Sequence, residues 1–353
     1  MIKAFRVAAL TLTLWMTASC EKILEPEGDC SSNWYVQFVY TKNPQATTSL
    51  TGVGADAFAQ SVRSVHLYIY DAATGNYVTD YEAAGEELGS GSWRLPIDLK
   101  PGEYDLVAWC HGSADLSKAY EAFDTRAAVD RESLGWRVRR DAYGLPWNDE
   151  AWNPANALFY GEKRGSIITN EVGDHTIVVE LTKDTNHINV TVQFTTDTYA
   201  PDEFYVVWCE DSGTLDAHNN PVAGDELVYK PYDEFFMDDD YLYGDEVINA
   251  GTKYSKFGVS RLMAEHANDA YLEVRDASDG TVIYGVNLIG LICNLLHEDR
   301  SNPDYDQYYL DCQDTYNCHF ILSPDNGGRW LASRININNW TVVPQQNVGG
   351  LGE

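Results

Sequence analysis

The stretch LYIYDAATGNYV at residues 67–78 has a close match in LEVRDASDGTVI at residues 272–283. Before the loop, apolar side chains recur at every second position, and an aspartate is followed four positions later by a glycine, Gly75 in the first stretch and Gly280 in the second. A glycine in the left-handed region closes short loops between paired strands. Each stretch is therefore predicted to form a β-hairpin. The match does not establish an internal duplication, because the neighbouring strands do not align in the same order.

Alternation with a period of two continues outward from these hairpins along most of the chain. In residues 188–194, for example, every second side chain is apolar and the intervening ones are polar, which is typical of a half-buried strand. Further strands are predicted at residues 34–40, 65–69, 93–99, 104–108, 177–181, 204–209, 270–274, 281–286, 319–322 and 333–342. Helical periodicity is scarce, and short helices are predicted at residues 56–62, 114–123 and 289–297.

Many short strands separated by glycine and aspartate turns favour an all-β fold of antiparallel β-sandwiches. The polar segment 183–186 follows a complete set of strands. We therefore predict one sandwich over residues 31–183 and a second over residues 184–353. Two irregular insertions, residues 111–156 and 211–250, interrupt the strand pattern, and loops of this length are usually functional or mobile.

The second insertion contains eleven acidic residues and one basic residue, Lys230. It is interpreted either as a solvated acidic loop or as a loop that binds a cation or a partner, since Asp238, Asp239 and Asp240 offer hard oxygen ligands. The ligand spacing of an EF-hand is absent. No metal site is therefore predicted.

The charge of the whole chain excludes one class of partner. Lysine and arginine number 24 against 54 aspartates and glutamates, for a formal net charge of −30. Binding of nucleic acid through a general basic surface is excluded by this balance. The 44% hydrophobic content is that of a globular chain rather than of a disordered acidic tail.

Residues 1–19 have the features of a secretory signal peptide: Lys3 and Arg6, then an apolar run, then small residues. The quartet that ends at Cys20 resembles the bacterial lipobox, in which the signal peptidase cleaves before a lipid-modified cysteine. We therefore predict a lipoprotein signal peptide, acylation of Cys20 and a tether at residues 20–30. The alternative is an ordinary signal peptide in which Cys20 is incidental.

Six further cysteines permit disulfides in an extracytoplasmic protein. A bridge between Cys30 and Cys110 is preferred, because one precedes the first strand and the other ends a strand of the same domain. There is no CxxC pair, so zinc or thioredoxin-like chemistry is not expected.

Sequence signals for catalysis are absent or incomplete. No GxSxG or GxxxxGK[ST] motif occurs, and Ser301 stands where an HExxH pattern beginning at His297 needs its second histidine. No enzyme activity and no cofactor are predicted, and a hydrolase built on surface carboxylates has little support. The first insertion contains the best residues for a binding site, Trp136, Trp147 and Trp152.

Several separated blocks then carry a resemblance to a known family. They are ADAFAQSVRSVHLYIYDAATGNYV from Ala55, LPIDLKPGEYDLVAWC ending at Cys110, SRLM at 260–263, NLIGLI at 287–292, DQYYLDCQDTYNCHFIL at 306–322 and WLASRININNW at 330–340. In this order, with Cys20 at the head, they resemble the FimB-type family of fimbrial anchor lipoproteins of Bacteroidetes. Cys312 and Cys318 are additions to the family pattern and are predicted to pair locally.

The resemblance implies two transthyretin-like β-sandwiches in tandem and an outer-membrane lipid anchor at the base of a fimbrium. It further implies partners among fimbrial shaft or accessory subunits, docked by strand complementation. The expected protein is a surface-exposed lipoprotein that anchors or nucleates a fimbrium without catalysis. The alternative is a surface adhesin that binds a glycan or a host molecule through the tryptophans of the first insertion.

Overall fold

A computed structural model gives the fold, and it describes residues 31–47, 53–113, 120–122, 136–138, 157–196, 199–200, 202–210, 213–222, 227–237, 241–243, 246–248, 251–266, 270–296 and 304–342. The first half contains β1 (Ser32–Val39), β2 (Ser64–Asp71), β3 (Tyr77–Ala84), β4 (Leu95–Ile97), β5 (Gly102–His111), β6 (Tyr120–Ala122), β7 (Trp136–Val138), β8 (Leu158–Ile168) and β9 (Gly173–Lys183). The second half contains β10 (Thr185–Phe194), β11 (Phe204–Glu210), β12 (Thr214–Leu215), β13 (Leu227–Tyr229), β14 (Asp233–Met237), β15 (Tyr241–Tyr243), β16 (Glu246–Ile248), β17 (Thr252–Ser260), β18 (Tyr271–Asp276), β19 (Val282–Val286), β20 (Thr315–Pro324), β21 (Trp330–Ile337) and β22 (Trp340–Val342). The prediction of an all-β fold is confirmed.

The strands of the first half form a sheet in the order β3-β2-β5-β8-β9-β1-β4. Strands β8 and β9 pair at only three positions, from Phe159 with Lys183 to Gly161 with Leu181. The sheet therefore divides into two layers, and the predicted alternation places apolar side chains of both layers, such as Val36 and Leu67, in one buried cluster between them.

The second half forms a six-stranded sheet, β14-β17-β10-β20-β21-β22, and a four-stranded sheet, β13-β11-β18-β19. Their buried cluster includes Ile188 and Val190 from one sheet and Val206 and Leu272 from the other. Two ladders depart from the predicted antiparallel arrangement, since β1 with β9 and β10 with β20 are parallel. In each half the parallel ladder joins the first core strand to the last one, because the chain crosses from the opposite sheet before the last strand pairs with the first.

Both halves share one topology once their core strands are numbered in chain order. The order is 3-2-5-6 in one layer and 4-1-7 in the other, with β1, β2, β3, β4, β5, β8 and β9 in the first half and β10, β11, β13, β17, β18, β19 and β20 in the second. This order agrees with the paired transthyretin-like sandwiches that the resemblance implies. The two matched hairpins occupy different places in it, strands 2 and 3 in the first half and strands 5 and 6 in the second. Their sequence match thus reflects loop chemistry and not equivalent positions.

Both predicted hairpins are present. Gly75 has a φ of +71° and Gly280 a φ of +75°. The N–H of each glycine donates to the carbonyl of the aspartate four residues earlier, over 2.8 Å to Asp71 and 2.9 Å to Asp276. The identical spacing therefore produces the same loop closure twice.

Helices are few and short. Those predicted near 56–62 and 289–297 are present as Phe58–Ser61 and Leu288–Leu295, and a further helix, Tyr305–Cys312, was not predicted. The helix expected over 114–123 is wrong at residues 120–122, which form β6 because they pair with β7. Among the described residues, no helix combines the length and the apolar character needed to span a membrane.

Candidate functional site

The two insertions meet in a small three-stranded sheet. Strand β7 of the first insertion lies between β6 and β12, and β12 comes from the second insertion. Trp136 pairs with Leu215 across the antiparallel β7–β12 ladder. The backbone of this candidate binding residue is therefore fixed by contact between the halves, whereas Trp147 and Trp152 lie outside the described residues.

The two halves also share a buried apolar contact. Trp109 and Tyr160 lie on the outer face of the first sandwich, and they belong to the same buried cluster as Leu215 and Ala217 and the core of the second sandwich. The rings of Trp109 and Tyr160 meet edge to face with centroids 5.0 Å apart, and the Tyr160 hydroxyl donates to the Ala217 carbonyl over 2.9 Å. Because this face is packed and not solvated, the halves form a continuous core across the boundary.

A buried charged network occupies the same boundary, and we call it the junction network: Asp184, Asn219, Arg261 and Asp311. Asp184 is fully buried between β9 and β10, and it accepts a hydrogen bond from Asn219 Nδ2 over 2.7 Å. The Arg261 guanidinium donates to both carboxylate oxygens of Asp311, over 2.8 and 2.9 Å, and to the Asn219 carbonyl over 3.0 Å. The pairing is bidentate and mostly shielded from water, so it fixes the orientation of these segments.

Burial dominates the electrostatics of Asp184. It raises the pKa of Asp184 to about 7, against the opposing effects of the Arg261 charge and the hydrogen bond from Asn219. The free-energy cost of keeping the Asp184 carboxylate ionised away from water is larger than the stabilisation that Arg261 and Asn219 provide. Its protonation state is therefore linked to folding near neutral pH.

A second polar link joins the first strand of the chain to the second half. The hydroxyl of Tyr40, just after β1, donates to Asp314 Oδ1 over 3.0 Å. Lys183 Nζ lies 3.3 Å from the other oxygen of Asp314. These contacts and the junction network connect the sandwiches at several points, which favours a rigid pair.

A polar cavity of about 410 Å³ lies beside this link, with Arg63, Lys183 and Asp314 in its lining. Its cations already have partners: Lys183 pairs with Asp314, and the Arg63 guanidinium donates to backbone carbonyls at the end of the helix Phe58–Ser61. Asp314 is the only acid in the described lining, so this cavity offers no pair of converging acids.

The predicted cysteine sites have different outcomes. Cys110 is fully buried, but Cys20 and Cys30 lie outside the described residues, so the acylation of Cys20 and the Cys30–Cys110 bridge stay predictions. The local bridge between Cys312 and Cys318 is absent, because both thiols are free. Cys318 points into the second core from β20, whereas Cys312 ends a helix and contacts Tyr308. Their different surroundings explain why neighbours in sequence do not pair.

One edge of the second sandwich differs from the other described sheet edges. Strand β19 (VIYGV) ends the four-stranded sheet and has no charged side chain. Edge strands β3 and β14 each contain two acids, and the other strands that end a described sheet, β4, β6, β12, β13, β15, β16 and β22, have only two or three residues each. Val282 is 53% exposed, and Ile283, Tyr284 and Val286 are half-buried against the core. An uncharged edge of this length can accept a further strand.

The junction network was not predicted from the sequence, because Asp184 lies in the polar segment 183–186, which has the composition of a linker. A signal was nevertheless present. Arg261 lies in the block at 260–263, and Asp311 lies in the block at 306–322. Two of the six blocks that carry the family resemblance thus also contribute residues to the domain junction.

Comparison with known proteins confirms the resemblance. A family model described as fimbrillin-A associated anchor proteins Mfa1 and Mfa2 matches residues 26–346. A comparison with curated protein sequences finds no significant match.

Solved structures with the same fold cover most of the chain. A candidate adhesin from Bacteroides thetaiotaomicron is 25% identical with a TM-score of 0.71, and the match covers 89% of this chain and 98% of that one. A candidate polysaccharide-binding protein from the same organism is 23% identical with a TM-score of 0.69 and the same coverage. The fimbrial anchor protein Mfa2 from Porphyromonas gingivalis is 17% identical with a TM-score of 0.63, covering 89% of this chain and 99% of that one. The last two similarities establish the fold.

Proposed function

The chain belongs to the family of fimbrillin-A associated anchor proteins, and on this premise we propose that it is an outer-membrane lipoprotein that anchors or nucleates a fimbrium at the cell surface. Acylated Cys20 is the tether, and residues 20–30 lead from the membrane to the first sandwich. The two sandwiches serve as a rigid spacer that presents a docking surface. The proposed role requires no catalysis.

The observation that carries the proposal is the family match, which begins at residue 26, a few residues after the lipobox-like quartet ending at Cys20. A multiply acylated cysteine buries dozens of methylenes at about 0.8 kcal/mol each, which is sufficient for stable membrane attachment. The buried contacts between the sandwiches support the spacer role, because a fimbrial base must transmit force without separating.

Strand complementation is the proposed mode of docking, and β19 is the proposed acceptor edge. An incoming strand satisfies the open N–H and C=O groups of an edge and covers the apolar side chains beside it. The half-buried Ile283, Tyr284 and Val286 would be covered in this way. Fimbrial shaft or accessory subunits are the proposed source of the strand.

Deletion of the gene tests the anchor proposal. Fimbriae are expected in the culture medium, with altered length, and restoration of the gene should return them to the cells. Fimbriae of normal length that stay attached to the deletion strain would contradict the proposal.

A charged substitution tests the docking edge separately. Val282→Lys introduces a charge at an exposed position on β19 and removes little buried surface. Val78→Lys, at a 42% exposed position on edge strand β3, is the matched control. Fimbrial subunits should co-purify with the wild type and the control from membranes, and should be lost with Val282→Lys. Equal recovery with all three would exclude the β19 edge.

A second candidate is a surface adhesin that binds a glycan or a host molecule. It is favoured by the sheet that joins both insertions around Trp136 and by the similarity to a candidate adhesin. Replacing Trp136, Trp147 and Trp152 by Ala should abolish binding on a glycan array if this function is correct. Fimbrial retention should then be unaffected.

A further inference from the structure

Three side chains of metal-ligand type converge on the hairpin between β2 and β3. They are His66, Asp80 and Glu82, and one ligand atom from each lies within 4.8 Å of the others. His66 Nε2 is 2.8 Å from Asp80 Oδ2, and His66 Nδ1 is 3.3 Å from Glu82 Oε1. The His66 side chain is 16% exposed, so its imidazole is largely shielded while both carboxylates reach solvent.

The strand ladder fixes these positions. His66 stands directly opposite Glu82 in the antiparallel β2–β3 ladder, and Asp80 stands opposite Tyr68, two residues further along β2. Side chains opposite and diagonal on one face of a ladder are held within reach of each other by the backbone. The cluster is therefore preformed on a regular element and does not depend on a loop.

Two tyrosines orient the cluster from outside it. The ring of Tyr68 stacks on His66 with centroids 4.0 Å apart, and its hydroxyl lies 2.9 Å from His66 Nδ1. The hydroxyl of Tyr77 donates to Asp80 Oδ1, leaving Oδ2 toward the imidazole. Although burial opposes it, hydrogen bonds from Tyr77 and His66 hold the pKa of Asp80 below its usual value. Metal-binding histidines and carboxylates are commonly oriented by such supporting contacts.

The spacing of the ligand atoms suits a small divalent ion. Bonds of about 2.0–2.2 Å in a tetrahedron place ligand atoms roughly 3.3 Å apart. His66 Nε2 and Asp80 Oδ2 are 2.8 Å apart, and the ligand atoms of all three residues lie within 4.8 Å of one another, so small side-chain movements reach this separation. The Glu82 side chain is 63% exposed and can move toward an ion without disturbing the core.

We propose that His66, Asp80 and Glu82 form a binding site for a divalent transition cation of the zinc class, with water at the remaining position. The ion takes the place of the hydrogen bond between His66 Nε2 and Asp80 Oδ2, and the neutral imidazole carries its single proton on Nδ1, next to the Tyr68 hydroxyl. An imidazole ligand favours zinc-class ions over Ca²⁺ and Mg²⁺, which prefer oxygen. A bound ion would join the edge strand β3 to β2. No spacing signal in the sequence indicates this site, because its ligands come from two different strands.

Titration of the full chain with Zn²⁺, purified without a polyhistidine tag and treated with chelator, tests the proposal. Calorimetry should detect one equivalent bound, and melting should shift upward with Zn²⁺ but not with Ca²⁺. His66→Ala and the isosteric Asp80→Asn should each weaken binding by at least about tenfold. His175→Ala is the matched control, because its imidazole contacts the Glu171 carbonyl and no carboxylate is paired with it in the described structure.

Two further measurements keep the outcomes distinct. Far-UV circular dichroism in chelator establishes that each variant is folded. The absorption spectrum with Co²⁺ separates an imidazole and carboxylate site from binding at the half-buried thiols Cys209 and Cys293, which would add a sulfur charge-transfer band. Absence of stoichiometric binding, or binding that is unchanged in both His66→Ala and Asp80→Asn, would overturn the proposal.

Discussion

The buried Asp184 makes the stability of the domain junction depend on pH. Its pKa is raised from 3.8 to about 7, mainly by burial. Between these values the folded chain holds a proton that the unfolded chain has released, so this group's contribution to stability falls as the pH rises and levels off above about pH 7. Well below pH 7 the loss approaches about 1.4 kcal/mol per pH unit, and it adds up to roughly 3 kcal/mol between pH 5 and pH 8.

Asp184→Asn removes this titration and keeps an oxygen that can accept the hydrogen bond from Asn219. The free energy of unfolding of the variant, relative to the wild type, should therefore rise by roughly 3 kcal/mol between pH 5 and pH 8. Urea unfolding at both pH values measures it, because the difference between the two proteins cancels the titration of all other groups. Asp202→Asn removes a charge from an exposed position and serves as the control. An equal difference between variant and wild type at both pH values would refute the reasoning.

Three further predictions concern the core, the buried thiols and a hairpin. Trp109→Ala, which empties a fully buried site at the junction, should cost roughly 3–5 kcal/mol in urea unfolding, and a loss below 1 kcal/mol would contradict the packed junction. Because burial raises the pKa of Cys110 and Cys318, peptide mapping after brief alkylation at pH 8 should find both unmodified while the half-buried Cys209 is labelled. Gly75→Ala places a Cβ at a φ of +71° and should cost about 1 kcal/mol, whereas Gly91→Ala, in open space without a positive φ, should cost less.

The strands and hairpins could be predicted because their signals are local. Alternation at Ile188 and Val190 follows from burial of one face, and Gly75 and Gly280 are required by loops that close within a few residues. The unpredicted helix Tyr305–Cys312 lacks a clear apolar period in its sequence YDQYYLDC. Strand β6 replaced part of a predicted helix because tertiary pairing outweighed local propensity.

The functional surfaces depend on contacts that sequence spacing does not encode. Arg261 meets Asp311 across 50 residues, and Asn219 meets Asp184 across 35. The choice of β19 as an open edge required the order of strands in the sheet. The predicted Cys312–Cys318 bridge is absent because closeness in sequence does not place two thiols in the same environment.

The attachment of fimbriae to cells that express a Cys20→Ala variant tests the anchor account most directly. The account predicts that fimbriae assemble but are recovered from the medium, while cells with the wild-type chain at matched abundance retain them. Fimbriae held on the Cys20→Ala cells as firmly as on wild-type cells would contradict it.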